Sequence, residues 1–142
     1  MKLKVIGGIG TVIFLLSIGM FVSCESDEQI EFNRYYSLGN SLYQSHCQNC
    51  HGAQGEGLRG LIPPLNDPRY IKINKSKLAC LVKNGLKGKV MVNNRLFDGE
   101  MPAVDLPSLE IAEVLTYISN SFGNKTGIIT GQQVEQSLNN CN

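Results

Sequence analysis

Cys47-Gln48-Asn49-Cys50-His51 places two thiols three positions apart, with an imidazole directly after the second. Two sulfurs so spaced can add across the two vinyl groups of one porphyrin while the adjacent histidine is carried to the iron, the pattern of c-type haem attachment. Cys-x-x-Cys also occurs in zinc sites and in thioredoxin-like redox motifs, so the rest of the chain has to decide. A zinc site would need two further ligands at comparable spacing; Cys80 and Cys141 stand alone, and His46 is the only other histidine. A thioredoxin-like motif belongs at a strand-to-helix junction in an alternating α/β pattern, whereas the flanks here show helical periodicity and almost no strand. One covalently attached haem, its iron held by His51, is the expectation.

The first 23 residues read as an export signal: Lys2 and Lys4 give a positive start, and Val5 to Val22 is uncharged and apolar. Phe21-Val22-Ser23-Cys24 resembles a lipoprotein cleavage site, in which Cys24 takes a lipid and becomes the new N-terminus. The alternative is an uncleaved anchor, since eighteen apolar residues come near the ~17–25 that span a bilayer. Either reading puts the folded part outside the cytoplasm, periplasmic or at another extracytoplasmic face, tethered to a membrane. Residues 24–30 then form an acidic tether, and 31–142 form one small domain. Cys80 and Cys141 remain as candidates for a disulfide in an oxidising compartment, two unrelated thiols being the alternative.

Charge is balanced overall but unevenly spread. Without Lys2 and Lys4 the chain has 11 Lys and Arg against 12 Asp and Glu, which with export argues against nucleic acid as a partner. Between Asp67 and Asp98 lie eight bases (Arg69, Lys72, Lys75, Lys77, Lys83, Lys87, Lys89, Arg95) and no acid; from Asp98 to Glu113 there are five acids and no base. A dipolar surface that orients an acidic protein partner is one reading, and an ordinary solvated face is the other.

Apolar residues Phe32, Tyr35, Tyr36, Leu38, Leu42 and Tyr43 recur at helical intervals and predict a helix over 31–45 that runs into the haem motif. Gly39 in its middle costs roughly 1 kcal/mol relative to alanine and points to close approach by another helix. A glycine- and proline-rich loop follows from Gly52 to Leu65. A short helix is expected over 76–84 with Ser76 as cap and Gly85 as stop, then a hairpin over 90–97 turning at Asn93-Asn94. Ser108 is expected to cap a helix over 109–121, and the tail after Gly123 to fold back as a loop and short helix.

Outside the signal the only methionines are Met91 and Met101. Pro102 holds Met101 extended, in a loop before the 109–121 helix, where a thioether can be presented to the far side of a haem. Met91 falls in the hairpin and reads as a packing residue. His46, adjacent to Cys47, is confined to the attachment side. Met101 is therefore the expected second iron ligand.

In their order and spacing, Cys47-Gln48-Asn49-Cys50-His51-Gly52, Gly55-Glu56-Gly57, Pro63-Pro64-Leu65, Val82-Lys83-Asn84-Gly85-Leu86, Phe97-Asp98-Gly99-Glu100-Met101-Pro102 and the 110–118 segment resemble the class I c-type cytochromes, over roughly residues 35–124. The resemblance implies a mainly α fold, helices packed around one haem c with a small β-hairpin. It makes Cys47 and Cys50 the thioether anchors, and His51 and Met101 the axial ligands. Pro63 matches the proline whose carbonyl accepts a hydrogen bond from the proximal histidine, and Gly39 and Tyr43 match positions crossing the last family helix near Leu115 and Tyr117. Asn93-Asn94 stands where relatives often carry Asn-Gly.

With both axial positions filled by protein, the chemistry left is one-electron exchange, and a His/Met pair raises the reduction potential. Apolar walls act in the same direction, with Ile62, Leu65, Leu81, Val82, Leu86 and Phe97 as candidates. The expected function is a membrane-tethered electron carrier of a respiratory chain, without catalytic residues, serving redox protein donors and acceptors. The alternative is the electron-accepting subunit of an exported dehydrogenase or oxidase. A haem sensor or peroxidase-like enzyme needs an open sixth site, against which Met101-Pro102 argues.

Overall fold

A computed structural model describes residues 26–141, so the export signal and Cys24 lie outside the described residues. Helix α1 spans Asp27–His46 and so begins inside the stretch read as a tether. Its start is chemically favourable: the Ser26 hydroxyl accepts the Gln29 N–H at 3.3 Å, and Asp27 and Glu28 lie in the first turn, where carboxylates offset the exposed N–H dipoles. The buried residues of α1 are Tyr35, Gly39 and Tyr43, spaced by four and hence on one face.

That face crosses helix α5, Ser108–Ile118. Gly39 lies against the Glu113 carbonyl, and an added Cβ would also come within 2.9 Å of Tyr117 Cβ. Around this crossing Tyr36, Tyr43 and Phe122 each lie 5.1–5.7 Å from the Tyr117 ring, centroid to centroid. Ile111, Ala112, Val114, Leu115 and Ile118 are all buried, which makes α5 the centre of the core. Ser108 is not its cap. Pro107 holds the extended capping position with φ −62° and ψ 157°, so Ser108 opens the helix, which ends at Ile118 rather than Ser121 because Ser119 already closes it.

Helix α2 is one turn, Gln48–His51. After the Gly/Pro loop comes a helix not expected from the sequence, α3 at Pro68–Ile73. Asp67 caps it by accepting from the N–H groups of Arg69 and Tyr70, and Pro68 occupies the first helical position, where its missing N–H costs nothing. Helix α4 covers Leu78–Asn84; Lys77, not Ser76, is its N-cap, and no side chain caps it. The hairpin is longer than 90–97: β1 (Leu86–Val92) pairs antiparallel with β2 (Arg95–Met101), Leu86 facing Met101 and Val92 facing Arg95. Asn93 and Asn94 have φ of 50° and 57°, the paired positive values of the turn whose twist matches antiparallel strands.

The tail returns as helix α6, Gly131–Leu138, opened by a reciprocal capping box between Thr130 and Gln133. Ile129 and Val134 are buried against the core, and Thr116 Oγ1 on α5 both donates to the Ile129 carbonyl at 3.2 Å and accepts its N–H at 2.9 Å. Cys80 of α4 is bonded to Cys141, with Cα atoms 5.7 Å apart. Residues 31–141 form one compact unit. Among the described residues no helix is long and apolar enough to cross a membrane.

Candidate functional site

The turn of α2 sets three reactive groups on one side of a helix, since positions i, i+3 and i+4 share a face. The His51 N–H donates to the Cys47 carbonyl at 2.9 Å, which closes that turn. Cys47 is half-buried, Cys50 exposed and His51 buried at 8% exposure. Tyr43 of α1 fixes the following residue, its hydroxyl donating to the Gly52 carbonyl at 2.6 Å.

The loop after α2 folds back on it. The Gly57 N–H donates to the His51 carbonyl at 2.8 Å, the Leu65 N–H donates to Gly55, and Leu58 bridges Ile62. This return brings the Pro63 carbonyl to 3.1 Å from His51 Nδ1. A carbonyl can only accept, so Nδ1 carries the proton and Nε2 is left with its lone pair. Burial lowers the imidazole pKa below its ordinary 6.5, the Pro63 bond partly offsetting it, which keeps the ring neutral and able to ligate. Burial, with Cys50 beside it, pushes the Cys47 thiol up to about 11, the reverse of the activated thiolate of a dithiol redox site.

His51 opens into two adjoining clefts. The larger holds about 100 Å³ and is lined by Cys47, Pro63, Leu65, Leu81, Val82, Leu86 and Met101; the smaller, about 90 Å³, is lined by Cys50, Ile62, Leu86, Phe97 and Met101. Each cleft holds one thiol, and they share His51, Pro63, Leu86, Val90 and Met101. All six apolar wall residues named from sequence thus line this space. Sequence reasoning missed Tyr70, Ile71, Leu78, Val104, Leu106, Leu115 and Ile118, which reach the larger cleft from α3, α4, α5 and the segment before α5. It also missed Asp67, whose Oδ1 accepts from Arg69 and Tyr70 and whose Oδ2 accepts the Asn93 N–H at 3.0 Å, tying α3 to the hairpin turn. The adjacent Asp67-Pro68 pair, a cap followed by a first-turn proline, was the available signal.

Met101 is the last residue of β2, not part of a loop, and is half-buried. Its strand end is held against α4: Val104 donates to the Val82 carbonyl at 3.0 Å, and Gly85, at φ 76°, lets the chain pass the Met101 carbonyl where any side chain would collide. Met91, expected to pack, is 55% exposed because it points outward from β1. Cys80 and Cys141 are bonded to each other and are not available as ligands beside the Cys47–Cys50 pair.

The basic run is divided by the fold. Lys83 pairs with Asp105 at 2.6 Å and Lys87 with Glu100 at 3.0 Å, while Lys89 stands opposite Asp98 in the hairpin register. Arg95 lies over the Phe97 ring at 6.0 Å.

An apolar two-part cleft, with one thiol in each part, a neutral histidine oriented by a carbonyl and a thioether on its border, fits a porphyrin held by thioether links. Its class is that of covalent-haem electron-transfer proteins. Residues 36–122 match the family described as Cytochrome c, and the chain belongs to the cytochrome c family. As a member it carries covalently bound haem c with its iron, and its partners are redox proteins. Cytochrome c-552 of Thermus thermophilus is 30% identical over 90 residues, 60% of this chain and 68% of that protein. A second cytochrome c-552, from a particular strain of the same organism, is likewise 30% identical, and there the match spans 60% of the relative's length.

Proposed function

We propose that Cys47 and Cys50 anchor the haem, that His51 and Met101 are its axial ligands, and that the protein is a one-electron carrier tethered outside the cytoplasm by a lipid on Cys24. The observation that carries the site assignment is the His51–Pro63 hydrogen bond at the border of the same cleft that Met101 lines. When bound, the haem supplies one-electron exchange between ferric and ferrous iron. The protein's part is to orient and insulate. The Pro63 carbonyl fixes the imidazole plane and increases its basicity, as partners of metal-bound histidines generally do. The Met101 thioether favours the ferrous state, and Leu65, Leu81, Val82, Leu86 and Phe97 keep water from the cleft, which also raises the potential. With His51 and Met101 both holding the iron, the chain would leave no substrate site at the metal.

Met101→Ala tests the assignment. A lowered reduction potential and carbon monoxide binding by the ferrous variant but not the parent are expected; an unchanged potential would reassign the ligand. Intact-mass measurement of membrane-extracted protein tests the anchor, and a chain still beginning at Met1 would remove it.

The second reading, an electron-accepting subunit with a fixed partner, is favoured by one observation. Lys83 and Lys87 are neutralised within the chain, which weakens long-range steering of a diffusing partner. Co-purification with a dehydrogenase or oxidase would decide for it.

A further inference from the structure

A second concavity lies on the side of α4 away from the clefts. One wall carries Lys72, Lys75 and Lys77 from α3 and the turn after it; the opposite wall carries Gln133, Ser137 and Asn140 from α6 and its end. No carboxylate lines it, and the only polar partner of its three lysines among the described residues is the Thr126 carbonyl, 3.5 Å from Lys75 Nζ. Its floor includes Leu81 and Leu115, which also line the larger haem cleft, so the two spaces are separated by a single layer of side chains. Ile73 also lines the groove at 73% exposure, an apolar contact with nothing covering it. The Cys80–Cys141 disulfide ties the end of the α6 wall to α4, which lines the groove between the two walls. The α6 wall lies beyond residue 122, where the family match ends.

We propose that this groove is a docking site for an acidic segment of a protein partner, whose carboxylates meet Lys72, Lys75 and Lys77 while an apolar side chain covers Ile73. The charge complementarity is one-sided, since the groove offers cations and neutral donors and no competing anion. Its concave shape fits an inserted chain segment better than the flat surface of an anionic membrane. Its place gives it a use that rests on the electron-carrier reading: a partner seated there touches Leu81 and Leu115, which also line the haem cleft.

Binding can be read without electron transfer. Amide chemical shifts of the haem-loaded, ferrous full chain would be followed during titration with a ten-residue polyglutamate peptide. Saturable shifts confined to 72–77 and 133–141 are expected. The affinity should fall at least tenfold in Lys72→Glu/Lys77→Glu and stay unchanged in Lys89→Glu/Arg95→Glu. Gln136→Glu, an exposed change on the opposite wall, should weaken binding as well and serves if the double variant does not fold, as its haem spectrum would report. Shifts centred on the hairpin, or equal affinity in all variants, would overturn the proposal. So would phosphatidylglycerol vesicles moving these amides while the peptide leaves them unmoved. Failure here with a lowered potential in Met101→Ala would reject the groove and keep the carrier; the reverse pair of outcomes would keep the groove and reject the ligand assignment.

Discussion

Gly39 of α1 rests on the main-chain carbonyl of Glu113 in α5, leaving no room for a side chain between the two helices. In an exposed helix Gly→Ala is stabilising by roughly 1 kcal/mol. Here the Cβ meets backbone, which cannot rotate away, so the helices must separate. Gly39→Ala should therefore destabilise the protein by about 1–3 kcal/mol, the usual cost of overpacking. Denaturant midpoints of the haem-loaded proteins measure it, and a stabilised variant would show that the helices part easily.

The disulfide joins residues 61 apart and closes the C-terminal segment onto α4. Loop-closure entropy for a span of that size contributes about 4 kcal/mol at most, and measured cases commonly give about 2–4 kcal/mol. Cys80→Ser/Cys141→Ser should lose stability in that range while the haem remains attached, because Cys47 and Cys50 are separate from the bridge. Parallel unfolding curves with and without reductant provide the check: the parent should shift on reduction and the variant should not.

Asp67 should make the fold acid-sensitive. The Asn93 N–H, followed by those of Tyr70 and Arg69, stabilises its carboxylate and holds its pKa below the ordinary 3.8, against the opposing effect of burial. A depressed carboxyl pKa adds stability that is complete above 3.8 and is lost as pH falls through the lower, folded value. The stability difference between parent and Asp67→Asn should thus be largest near neutrality and shrink below about pH 4. Urea midpoints across that range test it; a difference independent of pH would mean that Asn caps α3 and the hairpin equally well.

Glu113 has the opposite sign. Burial raises its pKa above 4.5, the nearby Glu110 adds to this, and Arg34 opposes it. A raised carboxyl pKa means that the charged form costs stability at neutral pH, a cost that disappears as pH falls through the folded value toward 4.5. Glu113→Gln should be more stable than the parent at pH 7 and equal to it at pH 4. A variant less stable at both values would show that the carboxylate holds a structural contact.

Local chemistry was readable from the chain. Cys47, Cys50 and His51 lie within one helical turn, so their shared direction follows from the period of the helix alone. The glycine in α1 announced a close helix crossing, and Asn93-Asn94 announced the turn, because both depend on what a backbone position tolerates. Boundaries were less legible: Ser76 and Ser108 looked like caps, but the helices chose neighbouring residues.

What the tertiary structure decided is which distant residues share a space. Val104, Leu106 and Ile118 carry no sign in sequence that they line the same cleft as Cys47; the packing of α5 and of the segment before it against α4 brings them there. The run of bases before Asp98 and the run of acids after it look like two poles when counted along the chain. The hairpin turns back at Asn93-Asn94, so Lys87 lies against Glu100 and Lys89 opposite Asp98, and that part of the apparent dipole is cancelled across strands. A linear count cannot register that cancellation, because chain reversal makes neighbours of residues far apart in sequence.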